Sequence, residues 1–521
     1  MDGIKNGFFI IDSDAKCKSA YCKNYKSATS YPNKLKVEKQ ILSEIKANRY
    51  HVTNKKPLIV SALGAIPKGN SDELRLIHDC SRPLDRGINM YANPDSFSFN
   101  SVDTACDLIE QGYFMAKVDL KSAYRSVGIH PSQYVITGLQ WQFEGTKSPV
   151  YLFDSRLMFG AAQAVGIFHR LSNSVVRMLE RRKLPGKIVN YLDDFLVISP
   201  SLEECQYVTN VLLELLMELG FDINWEKVTT PSTVTTFLGI EINSVDMFMY
   251  IPPEKLAQIK QKSLSWLTKC KATKRELQSL AGLLSWGAKC AKPLRPVLRS
   301  IINLYKGLKA SWHHIRISAA VKYDVQCFVQ WCDHFNGVSF SKKRRNLPIA
   351  TVYTDSSLQS GAAYCNADFV YACWSADLPS LANTDIYVKE MAAILLAFIR
   401  WGSDWKGSHV IVNTDNYGAL WAIQKGTSKN IIANSLLRHI LWFAAINDIS
   451  FDVIYIASSA NIIADALSRL YDYRFFNRVV ALLKSVGLNM CDVGFDLLKH
   501  MSCASFHYLL RRYSGEGTHV R

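Results

Sequence analysis

An aspartate closes an apolar run at Val118-Asp119-Leu120, and two more stand side by side in Tyr191-Leu192-Asp193-Asp194, between the apolar runs 188–192 and 195–199. Three carboxylates at neighbouring strand ends suit two Mg²⁺ ions about 3.5–4 Å apart, the geometry of in-line phosphoryl displacement. One ion would lower the pKa of an attacking hydroxyl, and the other would neutralise a leaving pyrophosphate. A pair of aspartates in a turn also has a plainer explanation, because Asp favours turns and solvates hairpin tips. What decides between the two is whether the surrounding elements bring the acids together.

Those elements are legible as periodicities. Residues 113–118 predict a strand, 162–184 a long helix, 202–219 a second helix stopped at Gly220, and 237–242 a further strand. Upstream, short apolar runs between Pro57 and Pro83 alternate with turn signals such as Pro67-Lys68-Gly69-Asn70, which predicts strands and a hairpin. Residues 1–50 are polar and Lys-rich, with one helical stretch near 35–45. Over 254–290 the apolar positions Leu256, Ile259, Leu267, Leu277, Leu280, Ala281 and Leu284 recur at helical spacing with lysines on the other faces. From Leu347 strands return at 350–353, 362–364, 371–374 and 410–412, interleaved with helices at 387–401 and 432–447. This second α/β stretch carries its own acids. Asp355 ends a strand, Glu390 opens a helix read as amphipathic, Asp415 follows the 410–412 strand, and Asp465 lies in the helical run 460–469. Taken singly, each could be a helix cap or a turn residue.

The chain has 521 residues, 48% hydrophobic and 20% charged, enough for large cores and unlike a disordered protein. No apolar run approaches the roughly 20 residues of a membrane helix, and the 8–11 run is too short for a signal-peptide core. An intracellular protein, cytoplasmic or nuclear, is expected. The thirteen cysteines are scattered without a zinc-ligand pattern and read as reduced, mostly buried thiols. The basic surplus is local: residues 251–350 hold 19 Lys and Arg, including the run Lys342–Arg345, against four acids, close to the whole net charge of +16. A basic linker would be soluble with far less asymmetry, whereas a segment tracking a phosphate backbone would need it.

Several motifs in order then carry a resemblance. Tyr191-Leu192-Asp193-Asp194 resembles the Y-x-D-D signature of reverse transcriptases, and Asp119-Leu120-Lys121-Ser122-Ala123-Tyr124 resembles their D-L-x-x-x-[YF] motif. Met158-Phe159-Gly160 resembles the template-contacting motif, while Asn224–Lys227 followed by Phe237-Leu238-Gly239 resembles the lysine motif and primer grip. The resemblance implies that Asp119, Asp193 and Asp194 bind metal with the Leu120 carbonyl as a further ligand. It implies that Tyr124 excludes a 2′-hydroxyl and that Lys68 and Arg75, before Asp79, hold the triphosphate. Lys227 would protonate the leaving pyrophosphate, although a surface lysine at a helix end reads the same way. Phe159 replaces the Gln that retroviral enzymes carry before the glycine of that motif, here Gly160.

The order Asp355, Glu390, Asp415, Asp465 likewise resembles the D-E-D-D quartet of the ribonuclease H fold. Four converging acids would repel one another unless divalent cations neutralise them. Tyr455 stands where many members carry a mobile histidine ten residues before the last acid.

The implied architecture is multidomain, α+β and α/β: a right-hand polymerase of fingers, palm and thumb followed by a ribonuclease H-like domain. The expected boundaries are an N-terminal extension at 1–50, fingers and palm at 51–245, a basic helical thumb or connection at 246–345, the ribonuclease H-like domain at 346–470 and a helical tail at 471–521. The implied activity is RNA- and DNA-directed DNA synthesis with cleavage of the RNA strand, using Mg²⁺, two per site, with Mn²⁺ able to substitute. Template-primer, RNA–DNA hybrid and dNTPs are the implied partners. Arg75–Pro83 with Gly87-Ile88-Asn89 looks most like the DIRS-like retrotransposons among such elements. A second reading is a primer–template-binding descendant whose pocket has drifted, resting on Tyr455 and Phe159. No protease Asp-Thr/Ser-Gly, zinc-knuckle, integrase or recombinase signature is present in the sequence.

Overall fold

The computed structural model describes residues 2–68, 72–332, 336–340, 347–366 and 368–470, so the Lys342–Arg345 run and the expected tail at 471–521 lie outside the described residues. The chain divides into two compact units, Met1–Met247 and Phe248–Arg521. Among the described residues no helix is long and apolar enough to cross a membrane, and no disulfide links the described cysteines.

In the first unit, Phe114–Asp119, Asp194–Ser199 and Lys187–Tyr191 form an antiparallel sheet with Asp194–Ser199 in the middle. Phe195, Leu196, Val197 and Ile198 are all buried, as a central strand covered on both faces requires. Helices Ala162–Glu180 and Leu202–Glu218 provide part of that cover through Phe168, Val175, Leu212 and Leu216. Ser201 caps the second helix by accepting from Glu204 N–H.

A five-stranded sheet runs in the order Ala20–Tyr21, Ile59–Val60, Gly138–Trp141, Val150–Asp154, Tyr50–Thr53. The strands Ala62–Pro67 and Leu74–Asp79 pair separately as the expected hairpin, with Ile66 opposite Arg75. Residues read as an N-terminal extension are built into this unit: Ile10 and Ile11 are core, and helix Asn33–Lys46 packs Val37 and Ile41 against Leu63, Leu76 and Trp141.

Two sequence expectations change form here. The strand expected over 237–242 is two strands, Val234–Phe237 and Ile240–Asn243. Leu238 and Gly239 between them both have positive φ, +50° and +81°, the signature of a type I′ hairpin turn. Helix Ile386–Trp401 in the second unit is not amphipathic, because every residue from Val388 to Phe398 is buried. It lies between the sheet on one side and helix Ile431–Ile446 on the other.

The second unit opens with the helices Pro253–Thr268, Lys274–Gly287, Leu298–Lys306 and Ala319–Cys332. Thr273 and Glu276 form a reciprocal capping box at the start of the second. A five-stranded sheet follows, ordered Asp368–Cys373, Ser360–Cys365, Ile349–Ser356, His409–Thr414, Ser450–Tyr455. Its first three strands are antiparallel, and its last two run parallel to Ile349–Ser356. The helical part is joined to this α/β part through buried polar contacts. Asp324 accepts from both Arg438 and Ser300, and Asn434 Nδ2 donates to Pro296 O at 2.9 Å.

The first unit also holds a buried charge network. Arg125 donates to Asp154 Oδ2 at 2.7 Å and to Glu44 Oε2 at 2.7 and 3.0 Å, with the Asp154 side chain fully buried. Losing one partner of such a pair leaves an uncompensated charge in the interior. Arg125→Ala is therefore expected to lower the stability of this unit by about 3–5 kcal/mol. Arg86→Ala, which removes an exposed pair with Asp85, should leave it nearly unchanged. Chemical denaturation of both variants checks this, and equal effects would refute the assignment.

Candidate active site

The first acidic centre is built by strand register. Asp194 lies directly opposite Asp119 on one side and opposite Tyr191 on the other, so the turn at Leu192-Asp193 sits over the end of Phe114–Asp119. Leu192 holds φ +54°, a conformation that a branched side chain rarely adopts. Leu120 N–H donates to Asp193 O at 3.1 Å, fixing the turn on the strand that carries Asp119.

Two lysines balance the acids. Lys227 Nζ reaches Asp119 Oδ1 and Oδ2 at 3.0 and 3.1 Å, and Lys117 Nζ lies 3.3 Å from Asp194 Oδ1. Asn224 holds Asp119 from both ends, its N–H on the backbone carbonyl and its Nδ2 on Oδ1, both at 2.9 Å. Burial still dominates: it pushes Asp193 above the ordinary carboxylate range. Burial, with the charges of Asp119 and Asp193 partly offset by Lys117, brings Asp194 up to about 6.

The remaining residues expected here are placed as follows. Tyr124 follows the left-handed Ser122 and packs its ring on Phe159 and Phe168, with centroids 5.1 and 5.4 Å away. Burial, then the Asp193 charge, pushes its phenol up to about 12. Arg75 lays its guanidinium 5.0 Å from the Phe159 ring centre, so the residue standing in place of Gln holds a cation instead of a hydrogen bond. Lys68, exposed at the hairpin, pairs with Glu73 at 2.8 Å. Gly160 has φ +124°, and a Cβ on it would stand 1.8 Å from His78 O, so only glycine fits. Asn89 accepts from Ala162 N–H and donates to Gly160 O, tying this segment to the start of helix Ala162–Glu180.

The second centre gathers three of its four expected acids. Asp355, Glu390 and Asp415 bring carboxylate oxygens within 4.8 Å of one another. Asp465 is not in that group: its Oδ1 accepts from Arg469 at 2.7 and 2.9 Å, one helical turn away. Hydroxyls contact two of the trio, Ser468 donating to Asp355 and Ser458 to Asp415, each at 2.5 Å, and the Ser356 backbone bonds Glu390. Glu390 Oε2 is buried with no hydrogen-bond partner. Burial, then Asp355 and Asp415, raises Glu390 to about 9, and burial raises Asp355 to about 6. An all-carboxylate donor set with one orphaned oxygen fits a hard divalent cation of the magnesium type.

Sequence reasoning gave no role to Lys117, Ser458, Ser468 or Lys389, and marked Asn224 only as the start of the lysine motif. Lys117 had a signal, since a position two before Asp119 on a strand shares its face. Lys389, buried beside Glu390, donates to Leu358 O at 2.7 Å and to Ala382 O at 2.9 Å, and so pins the loop after Asp355. Nothing in its sequence neighbourhood marks that role. Tyr455 stacks on Tyr417, with centroids 3.9 Å apart at 13°.

Residues 66–242 match the family model for the reverse transcriptase (RNA-dependent DNA polymerase). The chain is 23% identical over 421 residues to the retrovirus-related Pol polyprotein from transposon opus of Drosophila melanogaster, covering 78% of this chain and 38% of that protein. It is 26% identical over 196 residues to Protein P of duck hepatitis B virus, covering 37% of this chain and 23% of that protein. The chain thus spans well under half the length of these curated relatives. Among solved structures it is similar to the foamy viral protease-reverse transcriptase in complex with dsDNA and with an RNA/DNA hybrid. Both give TM-score 0.51, 16% identity and 86% coverage of this chain, with 86% and 56% of those chains covered. That likeness is one of fold. Residues 66–242 are thus similar to reverse transcriptase domains, at a distance from the retrotransposon and hepadnavirus polymerases they match.

The raised carboxyl values have a consequence for stability. Glu390 and Asp355 hold protons in the folded state at pH values where the unfolded chain has already released them. Their stabilising contribution is complete below the ordinary carboxylate range and is lost as pH rises through about 6 and then about 9. Without divalent ions, the second unit should become less stable from pH 5 to 9. Mg²⁺ at pH 8 should restore about 2–3 kcal/mol at a hundredfold excess over its Kd. Glu390→Gln should flatten the pH slope and lose most of the Mg²⁺ response. An unchanged slope in that variant would show that the trio does not carry the effect.

Proposed function

We propose that the protein is an RNA- and DNA-directed DNA polymerase of a retroelement whose second acidic centre is a ribonuclease H. The observation that carries the reading is the strand register that sets Asp194 opposite Asp119, with Asp193 in the turn, inside the segment matching the reverse transcriptase family. Asp119, Asp193 and Asp194 would hold divalent cations at the first centre. Asp355, Glu390 and Asp415, joined by Asp465, would hold them at the second. Such ions, two per site and Mg²⁺ by preference, supply activation of the attacking hydroxyl or water and neutralisation of the departing phosphate.

The chain's own residues do the rest. Tyr124, braced by Phe159 and Phe168, presents a rigid ring where a 2′-hydroxyl would stand, which selects deoxynucleotides by clash. Arg75 brings a fixed cation for the triphosphate, and its charge reaches Asp193; Lys68 adds a point charge at the hairpin. Lys227, already on Asp119, is positioned to give a proton to the leaving pyrophosphate. For the hybrid, the two leading helices of the second unit form a groove of about 300 Å³ lined by Lys255, Gln258, Lys262, Leu283 and Trp286. Gly282, exposed on the second of these helices with open space beside it, allows close approach of a duplex. The solved relatives hold dsDNA and an RNA/DNA hybrid, which supports these as partners of this chain. The Arg75–Pro83 run with Gly87-Ile88-Asn89 supports a DIRS-like element as the source.

Primer extension on an RNA template with dNTPs and Mg²⁺, following both strands, tests the reading. Wild type should lengthen the primer and shorten the RNA. Asp193→Asn with Asp194→Asn should abolish extension and spare cleavage, whereas Glu390→Gln should do the reverse. Persistent synthesis in the aspartate variant would overturn the metal assignment. Tyr124→Val should reduce discrimination against ribonucleotides by about a hundredfold, and unchanged discrimination would remove the role given to that ring. Hybrid affinity should fall steeply between 50 and 200 mM salt if lysine and arginine contacts release counterions.

A further inference from the structure

In the second unit, the helical part at 253–332 and the α/β part carrying Asp355, Glu390 and Asp415 are fastened by side chains that no step of the chemistry uses. Asp324, on helix Ala319–Cys332, is buried and accepts from Arg438, on helix Ile431–Ile446. Ser300, on helix Leu298–Lys306, donates to the same carboxylate, and the Arg438 guanidinium lies 5.5 Å from the Tyr323 ring centre.

A second fastening lies one turn earlier on the helix of Arg438. Asn434 is buried; its Nδ2 donates to Pro296 O at 2.9 Å, and its Oδ1 accepts from Ser428 N–H at 3.0 Å. Ser428 Oγ in turn accepts from the Tyr387 hydroxyl at 2.9 Å, three residues before Glu390 on helix Ile386–Trp401. Gly426, at the end of the helix Tyr417–Lys425 that follows Asp415, lies against the Arg295 side chain, where a Cβ would stand 3.2 Å away. The loop 426–430 is therefore held by the helical part and joined to the elements that carry Glu390 and Asp415.

Both fastenings are of a kind that fixes one arrangement. An exposed pair such as Arg400 with Asp368 can separate into water at little cost, whereas parting Arg438 from Asp324 leaves a charge alone in the interior. The Asn434 amide likewise cannot leave without stranding the Pro296 carbonyl and the Ser428 N–H. Packed interiors move by about 1 Å, while one nucleotide step along a duplex strand is ~3.4 Å. A centre mounted with that precision keeps its register on a duplex, and a centre free to swing does not.

We infer that Asp324, Arg438 and Asn434 are positioning residues that fix the second acidic centre on the helical part and so set where along a bound hybrid the RNA is cut. The inference rests on the ribonuclease H reading above, with the hybrid in the groove lined by Lys255, Lys262 and Trp286.

The test uses the full chain with Mg²⁺ and no dNTPs, mapping the first cuts in end-labelled RNA annealed to a recessed DNA primer. Arg438→Met should spread the cuts by at least one nucleotide on each side of the wild-type positions, the effect of a swing of ~3.4 Å. Asp324→Leu with Arg438→Met replaces the pair by apolar side chains, a change that proteins often tolerate, and should give the same spread from a folded chain. Arg400→Ala, the exposed control, should leave the cuts where they were. Hydrogen exchange in rising denaturant reads the attachment without activity. Helix Ala319–Cys332 and strand Ile349–Ser356 should lose protection together in wild type and at different denaturant concentrations in the double variant. A wild-type cut pattern in the double variant overturns the inference. If wild type cuts no RNA, the ribonuclease H reading fails by itself and exchange decides the attachment. Separate loss in the double variant alone keeps it; joint loss in both, or separate loss already in wild type, overturns it.

Discussion

Carboxylates forced into contact repel one another, and both centres are organised around that repulsion. In the first, the sheet fixes the geometry: backbone pairing sets Asp194 against Asp119, and the Leu120–Asp193 bond closes the turn over them. Lys117 and Lys227 then supply the opposite charge from side chains the fold already presents. In the second, Asp355 and Asp415 meet hydroxyls, and Glu390 keeps a buried oxygen without a partner. The two centres differ in what an arriving cation must do. At the first it would compete with Lys117 and Lys227 as well as with the protons of the raised Asp193 and Asp194; at the second, where no lysine contacts the trio's carboxylates among the described residues, it would displace the protons of the raised Asp355 and Glu390.

The Phe159–Gly160 segment depends on a different buried network. His78 N–H donates to Phe159 O at 2.9 Å, and its carbonyl lies where a Gly160 Cβ would stand. His78 itself is buried, bonded to Tyr50 OH at 2.8 Å, and burial holds its imidazole at about 3, so the ring is neutral. Below it, Asp154 is committed to Arg125. The position of Phe159, and through it of Arg75 and Tyr124, thus rests on a charge pair buried in the interior. A buried pair is a weak source of net stability, but it specifies one arrangement, because any other leaves a charge alone.

The acids were readable in the sequence because they end apolar runs, which is where a strand hands its next residue to an edge or turn. The strands at 114–119 and 194–199 and the helix starting at Ala162 follow from periodicity alone. Three features were not readable. The 234–243 hairpin depends on two positive φ values, and Leu238 gives no sign of the first. Burial of helix Ile386–Trp401 on all sides depends on helix Ile431–Ile446, distant in sequence. The edge strand Ser450–Tyr455 is mostly exposed and lacks the apolar alternation of its neighbours. At the sites, residues that touch the acids through long-range pairing, such as Ser458 and Ser468, have ordinary sequence contexts and become visible only when the fold is known.

Asp465 is the position where sequence and structure differ most usefully. The D-E-D-D order placed it with the other acids, yet its carboxylate is paired with Arg469. That pair is exposed, with side chains 43% and 38% accessible, and exposed pairs of this kind contribute about 0–1 kcal/mol. Its charge already acts on Asp355, which it helps to raise. Adding a fourth carboxylate to the buried trio without a counter-charge would increase the repulsion that burial has made costly. Arg469 keeps that charge outside at small expense, and a divalent cation on the trio would reverse the balance. Asp465, the fourth acid, would then meet a positive charge at the trio in place of the repulsion that now favours its pairing with Arg469.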